Sequence, residues 1–163
     1  LAIMVGGNSS SFERSKPILE ILGSSSVLCG DIGAGNFTKL ANQIIVGANI
    51  HALSEALVLT TKAGLDPETV FNAIKGGLAG SNVMNAKAPM MFNRNFDPGF
   101  RIELHLKDIT NAMQTANELN VPLQVTANLH QVLTSLVLNG KGKLDHSGIL
   151  QFVEEQSTIE VKK

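Results

Sequence analysis

A long apolar run that begins at Gly33 constrains the fold of this chain more than any other feature. Gly33, Gly35 and Asn36 are typical of the residues that open a helix, and no proline or glycine cluster follows before Gly64. At about 1.5 Å per residue, this stretch predicts a rod of roughly 40 Å, which is longer than most helices of globular proteins. We therefore expect the other elements to pack around one long helix over residues 33–63.

Residues 1–30 show a different pattern, that of a strand, a helix and a second strand. An apolar run over residues 1–5 ends at two glycines, a helix follows to about Leu22, and residues 26–29 form another short apolar run. One such crossover unit does not make a stable sheet by itself. Because the chain starts with Leu rather than Met, and inside a strand, we expect further sequence upstream.

Beyond Asp31 every segment has the periodicity of helices, so the sequence predicts a second, helical domain over residues 31–163. The helices of this domain are predicted to start at Asp66 with Pro67, Ser81, Phe100, Pro122 and Asp145. The helix that starts at Ser81 is expected to end before Pro89. Residues 157–163 are expected to form a loose tail.

Composition narrows the classes of partner. Charged residues make up 17% of the chain, against roughly 25% in an average soluble protein, which suggests that other protein surface covers part of this one. The net charge of −1 gives no electrostatic basis for binding nucleic acid or an anionic membrane. Polar residues such as His51 and Glu55 interrupt the apolar run, which argues against a membrane span. The single cysteine, Cys29, favours a reducing cytoplasm, and the four histidines lack the spacing of a metal site.

Lys39 is the first candidate for chemistry. A lysine near the positive end of a helix is electrostatically disfavoured, so we expect a role other than helix stability to place a lysine here. The field of the helix and burial by Phe37 and Leu40 would destabilise the charged ammonium and suit it to donating a proton near neutral pH. Asn42 and Gln43 share its face of the helix and offer amides for a hydroxyl or carboxylate. The alternative is an exposed lysine beside two surface amides.

Lys107 and Asp108 form the second candidate pair. Lys107 flanks the apolar stripe of its predicted helix, with Glu103 one turn earlier and Asn111 one turn later. The alternative interpretation is an ordinary surface pair between Lys107 and Glu103 at i,i+4 spacing.

Several of these motifs occur in one order along the chain. They are Gly33-x-Gly35-x-x-x-Lys39 with Asn42 and Gln43, then the sequence FDPGF over residues 96–100, then Leu106-Lys107-Asp108. In this arrangement the chain resembles the β-hydroxyacid dehydrogenase family, and the likeness covers nearly its whole length. The resemblance implies NAD(P)H as cofactor and a small semialdehyde as substrate. It further implies that Lys39 is the catalytic lysine that protonates the carbonyl oxygen, that Asn42 and Gln43 bind substrate, and that Lys107, Phe100 and Asp108 bind the cofactor or line the closed site beside it.

The resemblance also implies a fold. Residues 1–30 would be the last crossover of a Rossmann domain, and the remainder the all-helical C-terminal domain of the 6-phosphogluconate dehydrogenase type around the long helix. The GxGxxG nucleotide loop of the family is expected upstream of Leu1. This helical domain would pack on the Rossmann domain and on a partner subunit in a homo-oligomer, without nucleic acid or membrane partners. An alternative of another class is a non-catalytic helical module that serves oligomerisation.

Overall fold

The computed structural model describes all residues from Leu1 to Lys163, and contacts divide them into two units. The first unit is Leu1–Gln43 and the second is Ile44–Lys163. The division groups residues by which segments contact one another. It falls inside the long helix, because the first turns of that helix contact the strands. A domain boundary at residues 30 and 31 therefore stays a prediction.

The first unit contains the strand, helix and strand expected from the sequence. They are β1 (Ala2–Gly6), α1 (Ser9–Leu22) and β2 (Ser25–Gly30), and the two strands pair in parallel with Ala2 opposite Ser25. The side chain of Asn8 caps α1 by accepting hydrogen bonds from the N–H groups of Ser10 and Ser11. Short parallel strands joined by a helix are the local arrangement of an α/β crossover.

The predicted long helix is present as α2 (Ala34–Lys62), which has 29 residues. Glycines with positive φ flank it, Gly33 at +97° and Gly64 at +85°, and only glycine adopts such backbone readily. By length and composition α2 also resembles a membrane-crossing helix, with a mean hydropathy of 1.4 in its most apolar 18-residue window. Core helices of folded domains share those properties, and Ile50 and Leu57 in α2 are fully buried among other helices.

After α2, the second unit contains five further α-helices and one turn of 3-10 helix. Two side-chain caps form where the sequence predicts them. Asp66 accepts a hydrogen bond from the N–H of Thr69 at 2.7 Å, and Ser81 accepts one from the N–H of Met84 at 3.0 Å. The helices are α3 (Pro67–Ile74), α4 (Asn82–Phe92), α5 (Ile102–Glu118), α6 (Gln124–Leu138) and α7 (Ile149–Ser157), with the 3-10 turn His146–Gly148 directly before α7.

Two expectations about this unit are wrong. Pro89 lies inside α4 rather than after its end. Proline has no N–H to donate to the carbonyl of Asn85, so the helix continues to Phe92 with that hydrogen bond missing. The C-terminal residues are not loose, since Val161 is fully buried and its N–H donates to Oε1 of Glu154 at 2.7 Å. One apolar side chain and one buried carboxylate thus hold the end of the chain.

A single apolar core joins the helices of the second unit. Its fully buried side chains come from every long helix of the unit, and each contributes about 1.5–3 kcal/mol by leaving water. They include Leu57 from α2, Ile109 from α5, Leu133 from α6 and Leu150 from α7. This core fixes the helices that carry the candidate residues 100–108.

Candidate active site

The candidate lysine lies at the start of α2 and is paired with an amide. Nζ of Lys39 donates to Oε1 of Gln43 at 2.8 Å, and Nδ2 of Asn42 donates to the same oxygen at 2.9 Å. The three residues thus form one cluster, as the i, i+3 and i+4 spacing predicts. Gln43 is only 4% exposed, so its carbonyl oxygen is a fixed acceptor at the base of the cluster.

Lys39 itself is exposed, and Phe37 is 55% exposed. The expectation that neighbouring apolar side chains bury this ammonium is therefore wrong, since Phe37 is itself largely exposed. An ammonium has three N–H donors, and Gln43 takes one of them. Lys39 accordingly presents donors to solvent, which is the arrangement a ligand oxygen needs.

The start of α2 makes an unusually close contact with the end of β1. A Cβ atom added to Gly35 would lie 2.5 Å from the carbonyl oxygen of Met4 and 3.0 Å from the N–H nitrogen of Gly6. Real Cβ atoms essentially never come within 3.0 Å of such atoms. Glycine at position 35 therefore lets the helix start sit directly on the strand, one turn before Lys39.

Lys107 and Asp108 lie in the second turn of α5 and pair with each other. Their Nζ and Oδ1 atoms are 3.0 Å apart, and the side chains are 64% and 15% exposed, respectively. The alternative pairing of Lys107 with Glu103 is not present, because Glu103 pairs with Arg101 at 2.6 Å instead. Lys107 thus extends its ammonium into solvent.

Phe100 lies just before α5 and contacts two buried histidines. Its ring is 5.8 Å from the ring of His105 and 5.4 Å from that of His146, both in edge-on arrangements. The two histidines share a hydrogen bond between their Nδ1 atoms at 3.0 Å, and His105 is 0% exposed. The ring of Phe100 consequently packs against this buried pair of histidines.

Asp145, predicted only as a helix cap, is fully buried at the centre of this region. Its carboxylate does cap the 3-10 turn, accepting from the N–H of Ser147 at 2.9 Å. It also accepts from the N–H groups of Gly99 and Phe100, at 3.1 and 3.0 Å, and from Nζ of Lys87 at 2.9 and 3.0 Å. Sequence reasoning missed Lys87, because a contact 58 residues away leaves no periodic signal.

The surroundings shift the pKa values of two members of this buried cluster. Burial alone would raise the pKa of Asp145, but the N–H groups of Phe100 and Ser147, together with Lys87, lower it to about 2. Burial, the charge of Lys87 and the neighbouring His105 lower the pKa of His146 to about 3, against the opposing effect of Asp145. Near neutral pH the cluster therefore contains an ionised carboxylate and an uncharged His146.

These shifts predict loss of stability in acid. The pKa of His146 is about 3 in the fold and 6.5 without it, so the unfolded chain binds more protons between those values and stability falls as the pH drops from about 6.5 towards 3. Asp145 adds a further loss below its ordinary pKa of 3.8. The apparent thermal midpoint, measured from pH 7 to pH 4, should fall less steeply in a His146→Gln variant. A His130→Gln variant, which alters a histidine outside the cluster, should keep the original slope; equal slopes in all three proteins would contradict this account.

The candidate residues thus form two groups. Lys39, Asn42 and Gln43 lie together in the first unit, whereas Phe100, Lys107 and Asp108 belong to the second. No group of three or more His, Cys, Asp or Glu side chains is arranged to hold a metal ion. The first group presents an ammonium and amide donors, and the second presents an ammonium paired with a carboxylate.

Comparison with known proteins assigns the family. Residues 33–153 match the family model described as the NAD-binding domain of NADP-dependent 3-hydroxyisobutyrate dehydrogenase. The chain belongs to the 3-hydroxyisobutyrate dehydrogenase family. The matched segment includes every candidate site residue, from Lys39 to Asp108.

Relatives in this family are hydroxyacid dehydrogenases. The chain is 45% identical over 154 residues to 2-hydroxy-3-oxopropionate reductase of Escherichia coli, covering 94% of this chain and 53% of the relative. It is 35% identical over 162 residues to 2-(hydroxymethyl)glutarate dehydrogenase of Eubacterium barkeri, covering 99% of this chain and 54% of the relative. The chain therefore spans about half the length of the curated relatives it matches.

Solved structures of the family share the fold. The 3-hydroxyisobutyrate dehydrogenase of Mycobacterium tuberculosis, solved with L-serine, superposes with a TM-score of 0.85 at 27% identity, covering 92% of this chain and 54% of that one. This agreement confirms the predicted fold class, a mainly helical domain of the 6-phosphogluconate dehydrogenase C-terminal type after a β-α-β unit.

Proposed function

We propose that this chain is the C-terminal part of an NAD(P)H-dependent reductase that converts tartronate semialdehyde (2-hydroxy-3-oxopropanoate) to D-glycerate. The observation that carries the proposal is the exposed ammonium of Lys39 held by the buried carbonyl of Gln43, within the segment that matches the family model. The 45% identity to the E. coli 2-hydroxy-3-oxopropionate reductase supports this substrate.

The cluster at the start of α2 would supply the proton for this reaction. A bound nicotinamide would supply the hydride, which adds to the aldehyde carbon while the carbonyl oxygen takes a proton from Nζ of Lys39. Asn42 would orient the substrate hydroxyl or carboxylate, and Gln43 would hold both side chains in place. In the reverse direction Lys39 would accept the proton as hydride leaves the alcohol carbon.

The second unit would supply residues that bind the cofactor. The side chain of Lys107 is 64% exposed, and its ammonium fits the anionic or carbonyl oxygens of a dinucleotide, which need an accessible N–H donor. Phe100 offers a half-buried ring, and Asp108 orients Lys107 through their 3.0 Å contact. These three residues are accordingly proposed as cofactor-binding, with the main nucleotide-binding domain supplied by sequence before Leu1.

We also propose a cytoplasmic homo-oligomer in which other protein surface covers apolar side chains of the second unit. Leu59 is 71% exposed, Val125 is 66% exposed and Leu138 is 81% exposed. A subunit interface would remove these side chains from water, which is favourable.

Initial rates of the full-length protein on a panel of semialdehydes, with NADH and with NADPH, test the proposed function. We expect the highest kcat/KM with tartronate semialdehyde, and no turnover by the 163-residue chain alone, because hydride transfer needs the cofactor held against the carbonyl. A clear preference for methylmalonate semialdehyde would instead identify a 3-hydroxyisobutyrate dehydrogenase, the second candidate, which the matched family model favours. Absence of binding at millimolar concentrations of either cofactor would favour the non-catalytic helical module.

A further inference from the structure

The segment between α4 and α5 is tied to the residues that precede α7. The N–H of Asp145 donates to the carbonyl of Phe96 at 2.9 Å, and the N–H of His146 donates to the carbonyl of Phe100 at 2.9 Å. The carboxylate of Asp145 closes the same loop by accepting from Gly99 and Phe100. Four hydrogen bonds from two adjacent residues therefore fix residues 96–100.

The start of α5 is bonded to the residues just before Asp145. The helix begins at Ile102, and Arg101 before it makes no side-chain capping hydrogen bond. Its first two N–H groups, those of Ile102 and Glu103, donate instead to the carbonyls of Leu144 and Gly142, at 2.9 and 3.0 Å. Residues 142–146 therefore bond both to the loop 96–100 and to the first turn of α5, and the side chain of Asp145 supplies the contacts to Gly99 and Phe100. Lys107 lies in the next turn of that helix.

We propose that Asp145 is a positioning residue for the residues that bind the cofactor: it fixes Phe100 directly, and it anchors the segment 142–146, whose carbonyls hold the first turn of the helix that carries Lys107. The inference rests on the proposed function for the roles of Phe100 and Lys107, whereas the holding of the loop stands on the contacts of Asp145 alone. A fully buried carboxylate is costly to keep ionised without several donors, and here Lys87 and the loop N–H groups supply them.

An Asp145→Asn substitution in the full-length protein tests this role. Asparagine has nearly the same shape, but its NH2 group replaces one acceptor and faces donors in the same cavity. We expect the KM for NAD(P)H to rise at least about tenfold, because the loop that holds Phe100 loses hydrogen bonds to a charged group. The kcat at saturating cofactor should change less than about threefold, because the proposed proton donor, Lys39, is held by Gln43 instead. Amide hydrogen exchange over residues 96–104 should also become faster.

Glu154→Gln provides the matched control. Glu154 is a second buried carboxylate of the same unit, 6% exposed and paired with Arg94, and it holds Val161 rather than the 96–100 loop. This variant should leave both the cofactor KM and exchange at 96–104 unchanged, even where it lowers the thermal midpoint. The proposal is overturned if Asp145→Asn behaves like Glu154→Gln, that is, if only the amount of folded enzyme falls and the cofactor KM stays at the wild-type value.

A milder variant covers the case in which Asp145→Asn does not fold. Lys87→Met removes one partner of the carboxylate and leaves its backbone N–H donors in place, so a smaller rise in cofactor KM and in exchange at 96–104 is expected; wild-type values of both would overturn the proposal. If the wild-type protein shows no turnover, the proposed function fails. Exchange at 96–104 in the two variants then decides whether Asp145 holds the loop.

Discussion

A Lys39→Ala substitution in the full-length protein is expected to lower kcat by about a hundredfold or more, with a much smaller change in the thermal midpoint. Loss of a general acid typically costs about 10²–10⁴ in rate. The side chain of Lys39 is exposed and its one hydrogen bond within the protein is to Gln43, so its removal leaves an exposed alanine and no cavity. The measurement is kcat with the preferred semialdehyde at saturating cofactor, beside a melting curve.

Two matched variants separate proton donation from charge and from helix effects. Lys39→Arg keeps the positive charge, but a guanidinium does not release its proton, so activity should remain low. Lys62→Ala alters another lysine of the same helix, at its opposite end, where Nζ donates only to the carbonyl of Ser157. We expect this variant to keep wild-type kcat. Near wild-type turnover by Lys39→Ala would remove the assignment of Lys39 as proton donor.

Local rules predicted the elements that local sequence controls. The apolar run between Gly33 and Gly64 predicted α2. Both glycines have a positive φ, a backbone conformation that glycine adopts readily and that interrupts a helix. Asp66 and Ser81 were predicted as caps and make the capping hydrogen bonds. The cluster of Lys39, Asn42 and Gln43 likewise follows from helical spacing, since residues one turn apart share a face.

What the sequence did not indicate depends on contacts between distant segments. The burial of Asp145 and its pairing with Lys87 arise because α4, α5 and the 3-10 turn meet, and no spacing rule links positions 58 residues apart. The docking of the C-terminal tail depends in the same way on one residue, Val161, reaching the core. Burial of Lys39 was wrongly expected because apolar neighbours in sequence, such as Phe37, lie on another side of the helix.

A Gly35→Ala substitution is expected to destabilise the protein by about 1–3 kcal/mol, the cost typical of forcing extra atoms into a packed site. The added Cβ would come 2.5 Å from the carbonyl oxygen of Met4, and this backbone atom does not move aside as a flexible side chain would. The start of α2 must therefore shift away from β1. Thermal melting of the full-length protein should show the loss, with faster amide exchange over residues 2–6 and 34–38.

The same variant distinguishes two interpretations of the Gly33-x-Gly35 pattern. If Gly35 serves the contact between helix and strand, Gly35→Ala lowers both stability and kcat, because Lys39 lies one turn beyond the displaced helix start. Gly76→Ala, at a glycine with no other heavy atom within 4 Å of the added Cβ, should change neither. If the pattern instead served as a phosphate-binding loop, Gly35→Ala would raise the KM for the cofactor while the melting temperature stayed at the wild-type value. The 2.5 Å approach to Met4 favours the first outcome, since it explains the glycine without any ligand.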